Sequence, residues 1–178
     1  MNASDVMKYG HHTVLRAIDG LREKDWHVKG VCGVWSVKDI IAHLSSFEQV
    51  LVDILSNHID GAPTPTLDLF RDPQGTFNDK QVALRKEMSV ADVVAELNDA
   101  RSRVAGLISR MSDDTLRRAG TIPWYGAEYA LDDFIVYANY GHKREHCAQI
   151  ALYRKRPDRY ISPMIVRWPP RSTTGEAP

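Results

Sequence analysis

The sequence contains little of what marks disulfide-rich, nucleic-acid-binding or membrane-spanning proteins. Only two cysteines, Cys32 and Cys147, occur in 178 residues, which leaves no disulfide framework and no CxxC motif. Lys and Arg number 23, as do Asp and Glu, so no basic excess is available to bind a nucleic-acid backbone. No apolar run approaches the ~20 residues that span a bilayer. The composition predicts one globular domain and argues against nucleic acid or a membrane as its partner.

The start of the chain and the two cysteines bear on its compartment. The first residues, MNASDVMKYGHH, have neither the charged n-region nor the apolar h-region of a signal peptide. We therefore expect a cytoplasmic, reduced protein. Cys147 is expected to be a small buried residue, and Cys32 lies in a glycine-flanked loop without an activating partner. A nucleophilic cysteine is not expected.

Apolar residues recur at intervals of three and four in four long segments, which is the pattern of amphipathic helices. We predict a first helix over residues 4–22, with Ser4 as its N-cap. The second helix begins after Ser36, which with Asp39 forms a variant of the capping box. Its apolar stripe continues to Leu55.

The third and fourth helices carry equally clear boundary signals. Ser89 with Asp92 caps the third helix, whose apolar stripe continues to residue 111. The fourth helix begins near residues 132–133, where two carboxylates complement the N-terminal dipole, and continues to about residue 156. Pro157 then stops it.

The connections between these helices are irregular. Residues 58–75 contain three prolines and two glycines, which predicts a long loop that borders a functional site. We expect a short helix over residues 78–88 and a short turn after Ser112. Residues 119–130 predict a structured loop, with a short hairpin as one form that it can take.

Together these elements predict an all-α fold. The natural arrangement is a four-helix bundle with a long crossover connection and short extra helices in its loops. Residues 1–156 form this domain, and residues 157–178 form a C-terminal extension, disordered from about residue 172. Apolar residues at 161–170 are sufficient to pack on the domain or on a partner.

Three histidines lie on two of the predicted helices. His142 and His146 are four residues apart on the fourth helix, so both imidazoles lie on one face. With His43 from the second helix they supply three nitrogen ligands for a divalent metal and leave one coordination position open. The competing interpretation is a hydrogen-bonded core histidine at 43 and a chance HxxxH pair. The remaining histidines are expected to be solvated: His11, His12, His27 and His58.

Three segments resemble the DinB-like (YfiT-like) superfamily of metal-dependent enzymes. The segment WSVKDIIAHLSSFEQ is similar to the second-helix signature of that superfamily, in which a His-Leu pair follows a Trp-Ser/Thr-x-x-acidic motif. The segment YANYGHKREHCAQIALYRK is similar to its last helix, and FNDKQVALRKEMSVADVVAEL to its middle region. The residues that match the first signature are Trp35, Ser36, Asp39, His43 and Leu44.

The resemblance implies that His43, His142 and His146 bind a divalent metal, which is Zn, Ni, Fe or Mn because imidazole suits all four. It implies hydrolysis or thiol S-transfer on a small electrophile, the latter with a low-molecular-weight thiol. The aromatic loops also resemble the branch of the colibactin self-resistance protein, a cyclopropane hydrolase. Many relatives pair through their bundles, which implies a homodimer. A non-catalytic metal- or ligand-binding stress-response protein is the alternative.

Several neighbours are candidates for supporting roles. Glu48 is a candidate general base or a group that orients a ligand, and Glu145, Gln149 and Asn139 are candidates for hydrogen bonds to the imidazoles. For both glutamates the competing interpretation is exposed surface charge. Four aromatic residues either line a substrate cleft or close the end of the bundle: Trp35, Trp124, Tyr125 and Tyr129.

Overall fold

The computed structural model describes residues 2–155, which are helical and contain no β-strand within that range. The helices are α1 (Ala3–Ile18), α2 (Val37–Asp60), α3 (Pro65–Phe70), α4 (Phe77–Leu84), α5 (Val90–Ile108), α6 (Asp113–Arg117), α7 (Leu131–Phe134) and α8 (His142–Lys155). A 3₁₀ turn, Glu23–Trp26, follows α1, and a π-helical segment, Ile135–Gly141, joins α7 to α8 in one continuous rod. The predicted all-α class is confirmed.

Four of these elements form the bundle. α5 packs along α2, and α8 packs along α1. α2 also contacts α8, and α1 contacts α5, so the order around the bundle is α1, α8, α2, α5. α3 and α4 lie in the crossover from α2 to α5 and pack on α2. The seam between α2 and α8 therefore lies on the opposite side of the bundle from the seam between α1 and α5.

The start of α2 is held by the predicted capping box. The Asp39 amide donates to Ser36 Oγ at 3.3 Å, and the Ser36 amide donates to Asp39 Oδ2 at 2.8 Å. Lys29 Nζ reaches the same carboxylate at 2.5 Å. The two bonds satisfy orphan amides of the first turn, which fixes where His43 falls on the helix. Ser89 caps α5 as predicted.

The boundaries of α1 differ from the prediction at both ends. Asn2, not Ser4, is the N-cap, because its Oδ1 accepts a bond from the Asp5 amide at 2.9 Å. The helix ends at Ile18 rather than at residue 22, since the chain leaves helical geometry and Gly20 adopts a φ of 65°. A left-handed residue of this kind terminates a helix at little cost only when it is glycine.

The expected long loop over residues 58–75 is partly helical, which corrects the prediction. α2 continues to Asp60, and α3 starts with Pro65 at its first turn. The first amides of α3 are capped from another helix, since Asp53 Oδ2 accepts bonds from Thr66 and Leu67 at 2.6 and 3.0 Å. Pro65 could have indicated the start of α3 in the sequence, because proline is common at the first position of a helix.

Residues 119–130 form turns rather than a hairpin within the described chain. One backbone bond, from the Gly120 amide to the Tyr129 carbonyl at 2.9 Å, closes the segment. The rod that follows starts at Leu131, where Asp133 Oδ2 accepts a bond from the Ala130 amide.

The π-helical segment packs closely against α1. A Cβ built on Gly10 would lie 3.0 Å from the Tyr140 ring, so a larger residue at this position would require the ring to shift. No helix in residues 2–155 combines the length and the apolar character needed to cross a membrane. The predicted extension, residues 157–178, lies outside the described residues.

Candidate metal centre

The structure brings the three predicted histidines together at the seam between α2 and α8. His43 Nε2 lies 2.8 Å from His142 Nε2, and His146 Nε2 lies 2.9 Å from the same atom. One ligand atom from each residue lies within 4.8 Å of the others. His43 and His146 are 2% and 6% exposed, whereas His142 remains partly accessible. The chance-pair interpretation does not account for this convergence.

Burial keeps all three imidazoles neutral. Desolvation lowers the pKa of His142 to about 3, with smaller contributions from His146 and Lys143. Burial and the other two imidazoles hold the pKa of His43 well below its ordinary value, and burial also lowers the pKa of His146. A neutral imidazole presents a lone pair, which is the form that binds a metal.

One imidazole has its tautomer fixed by a neighbour. His146 Nδ1 lies 2.8 Å from Gln149 Oε1, a pure acceptor, so Nδ1 carries the proton and the Nε2 lone pair faces the other histidines. Gln149 thus fulfils its predicted supporting role. Glu145 is exposed, as the alternative interpretation held, and Asn139 is buried.

The ring nitrogens of all three histidines test whether a cation fits the site. His43 Nδ1 and His142 Nδ1 are buried and have no hydrogen-bond partner among residues 2–155. Because His146 Nε2 carries a lone pair, the contacts of His43 and His146 with His142 Nε2 cannot both be satisfied by the single proton that an Nε2 can carry. A divalent cation satisfies this donor set, so the residues present fit the metal that the fold implies.

Aromatic rings surround the three histidines. The Trp35 ring centroid lies 4.8 Å from that of His43, and Phe47 lies 4.8 Å from His43 and 4.4 Å from His142. Phe70 lies 5.4 Å from Phe47 and 6.2 Å from Trp124, so a row of rings extends from the centre. Phe47 was missed in the sequence although its spacing of four from His43 places it on the same face.

Trp124 and Tyr125 belong to the far end of this row. Both rings pack against Phe134, at 5.6 and 5.2 Å, in edge-to-face contacts. Tyr129 contacts Tyr125 and is more exposed. Both interpretations of the aromatic loop therefore apply, because Trp124 extends the row towards the histidines while Tyr125 closes the bundle end.

Glu48 does not carry exposed surface charge, which corrects that interpretation. It is 0% exposed, and its Oε1 accepts a hydrogen bond from Lys143 Nζ, itself 1% exposed. Burial lowers the pKa of Lys143, and the carboxylate of Glu48 opposes that shift. The sequence analysis did not identify Lys143 as a buried residue, because lysine is almost always exposed at the surface of a helix.

One of the four remaining histidines is not solvated. His11 is half-buried, and burial, together with Lys143, lowers its pKa. His12, His27 and His58 are exposed as expected. Burial raises the pKa of Cys147 to about 11, which keeps it a thiol and agrees with its predicted structural role.

The comparisons with known proteins concern the fold and the family. Three crystal structures share the fold: an uncharacterised protein from Escherichia coli UTI89 (TM-score 0.72, 18% identity, covering 85% of this chain and 90% of that one), a protein from Streptococcus pneumoniae (0.73, 12%, 86% and 88%) and an uncharacterised protein from Clostridium difficile 630 (0.72, 12%, 86% and 94%). No curated protein matches the sequence. The family model of the DinB superfamily matches residues 8–150, and the chain therefore belongs to the DinB superfamily.

Proposed function

We propose that the protein is a divalent-metal-dependent enzyme that acts on a small electrophilic molecule, by hydrolysis or by thiol S-transfer. The observation that carries the proposal is the convergence of three neutral imidazole nitrogens from two helices. His43, His142 and His146 would hold the metal. A metal on three imidazoles supplies Lewis acidity, which lowers the pKa of a bound water or thiol and polarises a substrate oxygen.

The surrounding side chains support this chemistry through position and polarity. Gln149 fixes the orientation of the His146 ring through Nδ1. Trp35 and Phe47 cover the imidazoles and exclude water, which strengthens electrostatic interactions at the site. The row through Phe70 to Trp124 favours a substrate with an apolar or planar body.

Glu48 remains a candidate general base, but its contact with Lys143 favours a positioning role. It follows His43 by five residues, which places it about 140° around α2 from that ligand. Its partner, Lys143, directly follows His142 in α8. The ion pair thus fixes α2 against α8 next to the ligands. The metal among Zn, Ni, Fe and Mn, the thiol co-substrate, the hydrolase branch and the homodimer stay predictions.

Elemental analysis of untagged protein tests the metal. We expect one divalent ion per chain in the wild type and in His58→Ala, an exposed histidine on the same helix as His43. His43→Ala and His142→Ala should lose it. Wild-type metal content near zero after reconstitution, or equal uptake by His142→Ala, would contradict the proposal.

A turnover assay then separates an enzyme from a binding protein. Metal-loaded protein is screened against epoxides, activated alkenes and strained rings, with and without low-molecular-weight thiols. We expect turnover that His43→Ala abolishes and His58→Ala retains. Thiol-dependent turnover identifies an S-transferase, and turnover without thiol identifies a hydrolase. Stoichiometric binding without turnover would favour the stress-response alternative.

A further inference from the structure

A second polar cleft lies on the opposite side of the bundle, at the seam between α1 and α5. Its volume is about 240 Å³. The side chains that line it are Lys8, His11, His12, Asn98, Arg101, Ser102 and Ala105. The lining contains two permanent cations, two imidazoles and no carboxylate. This composition is what an anion-binding site requires.

Arg101 is the central observation. Its guanidinium is half-buried, and Nε is buried without a hydrogen-bond partner among residues 2–155. No carboxylate of the described chain lies within ion-pair distance of it. By contrast, Arg85, which is more deeply buried, is held by Glu96 through two bonds of 2.6 and 2.7 Å. Arginine stays protonated at neutral pH, so a half-buried guanidinium without a counter-charge is unfavourable.

The interior of the bundle does not supply the missing anion. The carboxylate of Glu48 is close enough to interact electrostatically with both Arg101 and His11. However, its Oε1 is bound by Lys143, which balances its charge. Counted with that ion pair, the region retains the positive charge of Arg101, to which the exposed Lys8 adds a second.

His11 adds a second donor with unused capacity. Its Nδ1 is buried without a partner, and its ring contacts Asn98 through a side-chain hydrogen bond. Lys143 and Arg101 both lower the pKa of His11 through their charges. An anion in the cleft would oppose both contributions and raise that pKa.

We propose that the cleft between α1 and α5 binds a phosphate group, with Arg101 as its main ligand and Lys8, His11 and His12 around it. Two fixed cations match the charge of a phosphate dianion, and the planar guanidinium suits its oxygens. The site is separate from the histidine centre and does not depend on the proposed metal chemistry. The phosphate is either free or part of a small phosphorylated molecule.

Phosphate titration of the full chain tests the proposal. Thermal unfolding and ¹H–¹⁵N NMR are followed as sodium phosphate is added, with sodium chloride at equal ionic strength as the reference. We expect saturable stabilisation and shifts confined to α1 and α5, with affinity at least about tenfold lower in Arg101→Gln. Arg103→Gln is the matched control, because Arg103 is exposed on the same helix and does not line the cleft. It should bind phosphate as the wild type does.

A second variant and a second ligand make the titration decisive. Lys8→Gln, an exposed change, should weaken binding several-fold even if Arg101→Gln fails to fold. Glycerol 3-phosphate binding more tightly than inorganic phosphate identifies a phosphorylated molecule, and equal binding identifies the free ion. Chloride reproducing the phosphate effect, or equal binding by the wild type and Lys8→Gln, would overturn the proposal. So would an NMR titration in which the pKa of His11 does not rise with phosphate.

Discussion

Two buried polar clusters are neighbours on α2 and α8, and they differ in how their polar groups are balanced. The Glu48–Lys143 pair joins opposite charges and balances itself. The histidine centre joins three neutral groups of the same kind, whose Nε2 atoms converge. The charges of the first cluster balance within the chain, although Glu48 Oε2 has no hydrogen-bond partner among residues 2–155, whereas the second cluster presents converging ligand atoms to an ion from outside. An ion pair of this kind fixes two helices against each other, and converging imidazole nitrogens form a candidate binding site.

The largest effect should come from breaking the self-balanced cluster. Lys143→Met leaves the carboxylate of Glu48 buried without a counter-charge, and we expect a loss of about 3–5 kcal/mol in the free energy of unfolding. Denaturant titration measures it. The double variant with Glu48→Gln should recover much of that loss, because the uncompensated charge is gone. A loss below ~1 kcal/mol in Lys143→Met would show that Lys143 does not balance the buried charge of Glu48.

The histidine centre should respond to metal rather than to charge removal. With free metal at about 100 times its dissociation constant, binding should stabilise the protein by about 2.7 kcal/mol. Chelation should remove this gain in the wild type and in His58→Ala, and His146→Ala should not show it at all. Thermal unfolding with and without a chelator measures the difference. An equal gain in His146→Ala would place the metal elsewhere.

Gln149 tests how much orientation contributes at the same centre. Gln149→Leu keeps the volume but removes the acceptor for His146 Nδ1, so the ring loses its fixed tautomer. We expect metal affinity to fall 10–100-fold, about 1.4–2.7 kcal/mol. Competition with a chromogenic chelator measures it. Gln74→Leu, at an exposed loop position, is the control and should bind metal normally.

A fall in pH should destabilise the metal-free protein gradually, through the histidine centre. The pKa of His142 is lowered to about 3 in the folded chain, so below its unfolded value near 6.5 the unfolded state binds the extra proton. The free energy of unfolding of metal-free protein should therefore fall as pH drops from 6.5 towards 3, by roughly 1.4 kcal/mol per pH unit for each such histidine. His142→Asn should have a shallower slope. An unchanged slope would contradict the burial of a neutral imidazole.

Much of the fold and of the histidine centre could be predicted because the signals are local. Ser36 with Asp39 fixes the start of α2, and the spacing of His142 and His146 fixes their shared face. His43 was a candidate because it lies on a second predicted helix, and a resemblance spread over three segments favoured its role as a ligand over that of a core histidine. These features depend on residues three or four positions apart.

The features that the sequence did not predict depend on distant residues. Glu48 and Lys143 are 95 positions apart, and neither is distinguishable from a surface charge until the bundle closes. The start of α3 depends on Asp53 from the preceding helix. Arg101 Nε has no partner because no acceptor from another helix of the described chain lies near it, and the spacing of residues in the sequence does not show this. Non-local pairing, rather than helix propensity, limited the prediction.

The π-helical segment Ile135–Gly141 affects how the number of residues in the rod relates to the orientation of the metal ligands. A wider turn contains one more residue than an α-helical turn of the same height, so it is an insertion that the rod absorbs without breaking. It lies between the capped start at Leu131 and the first ligand, His142. Deleting one residue from it would convert it to α-helix and leave His142 and His146 close to their present orientation relative to that start, because the wider turn already absorbs the additional residue. The segment therefore lets the rod contain one additional residue between its start and its metal-ligand end without rotating the ligands away from the histidine centre.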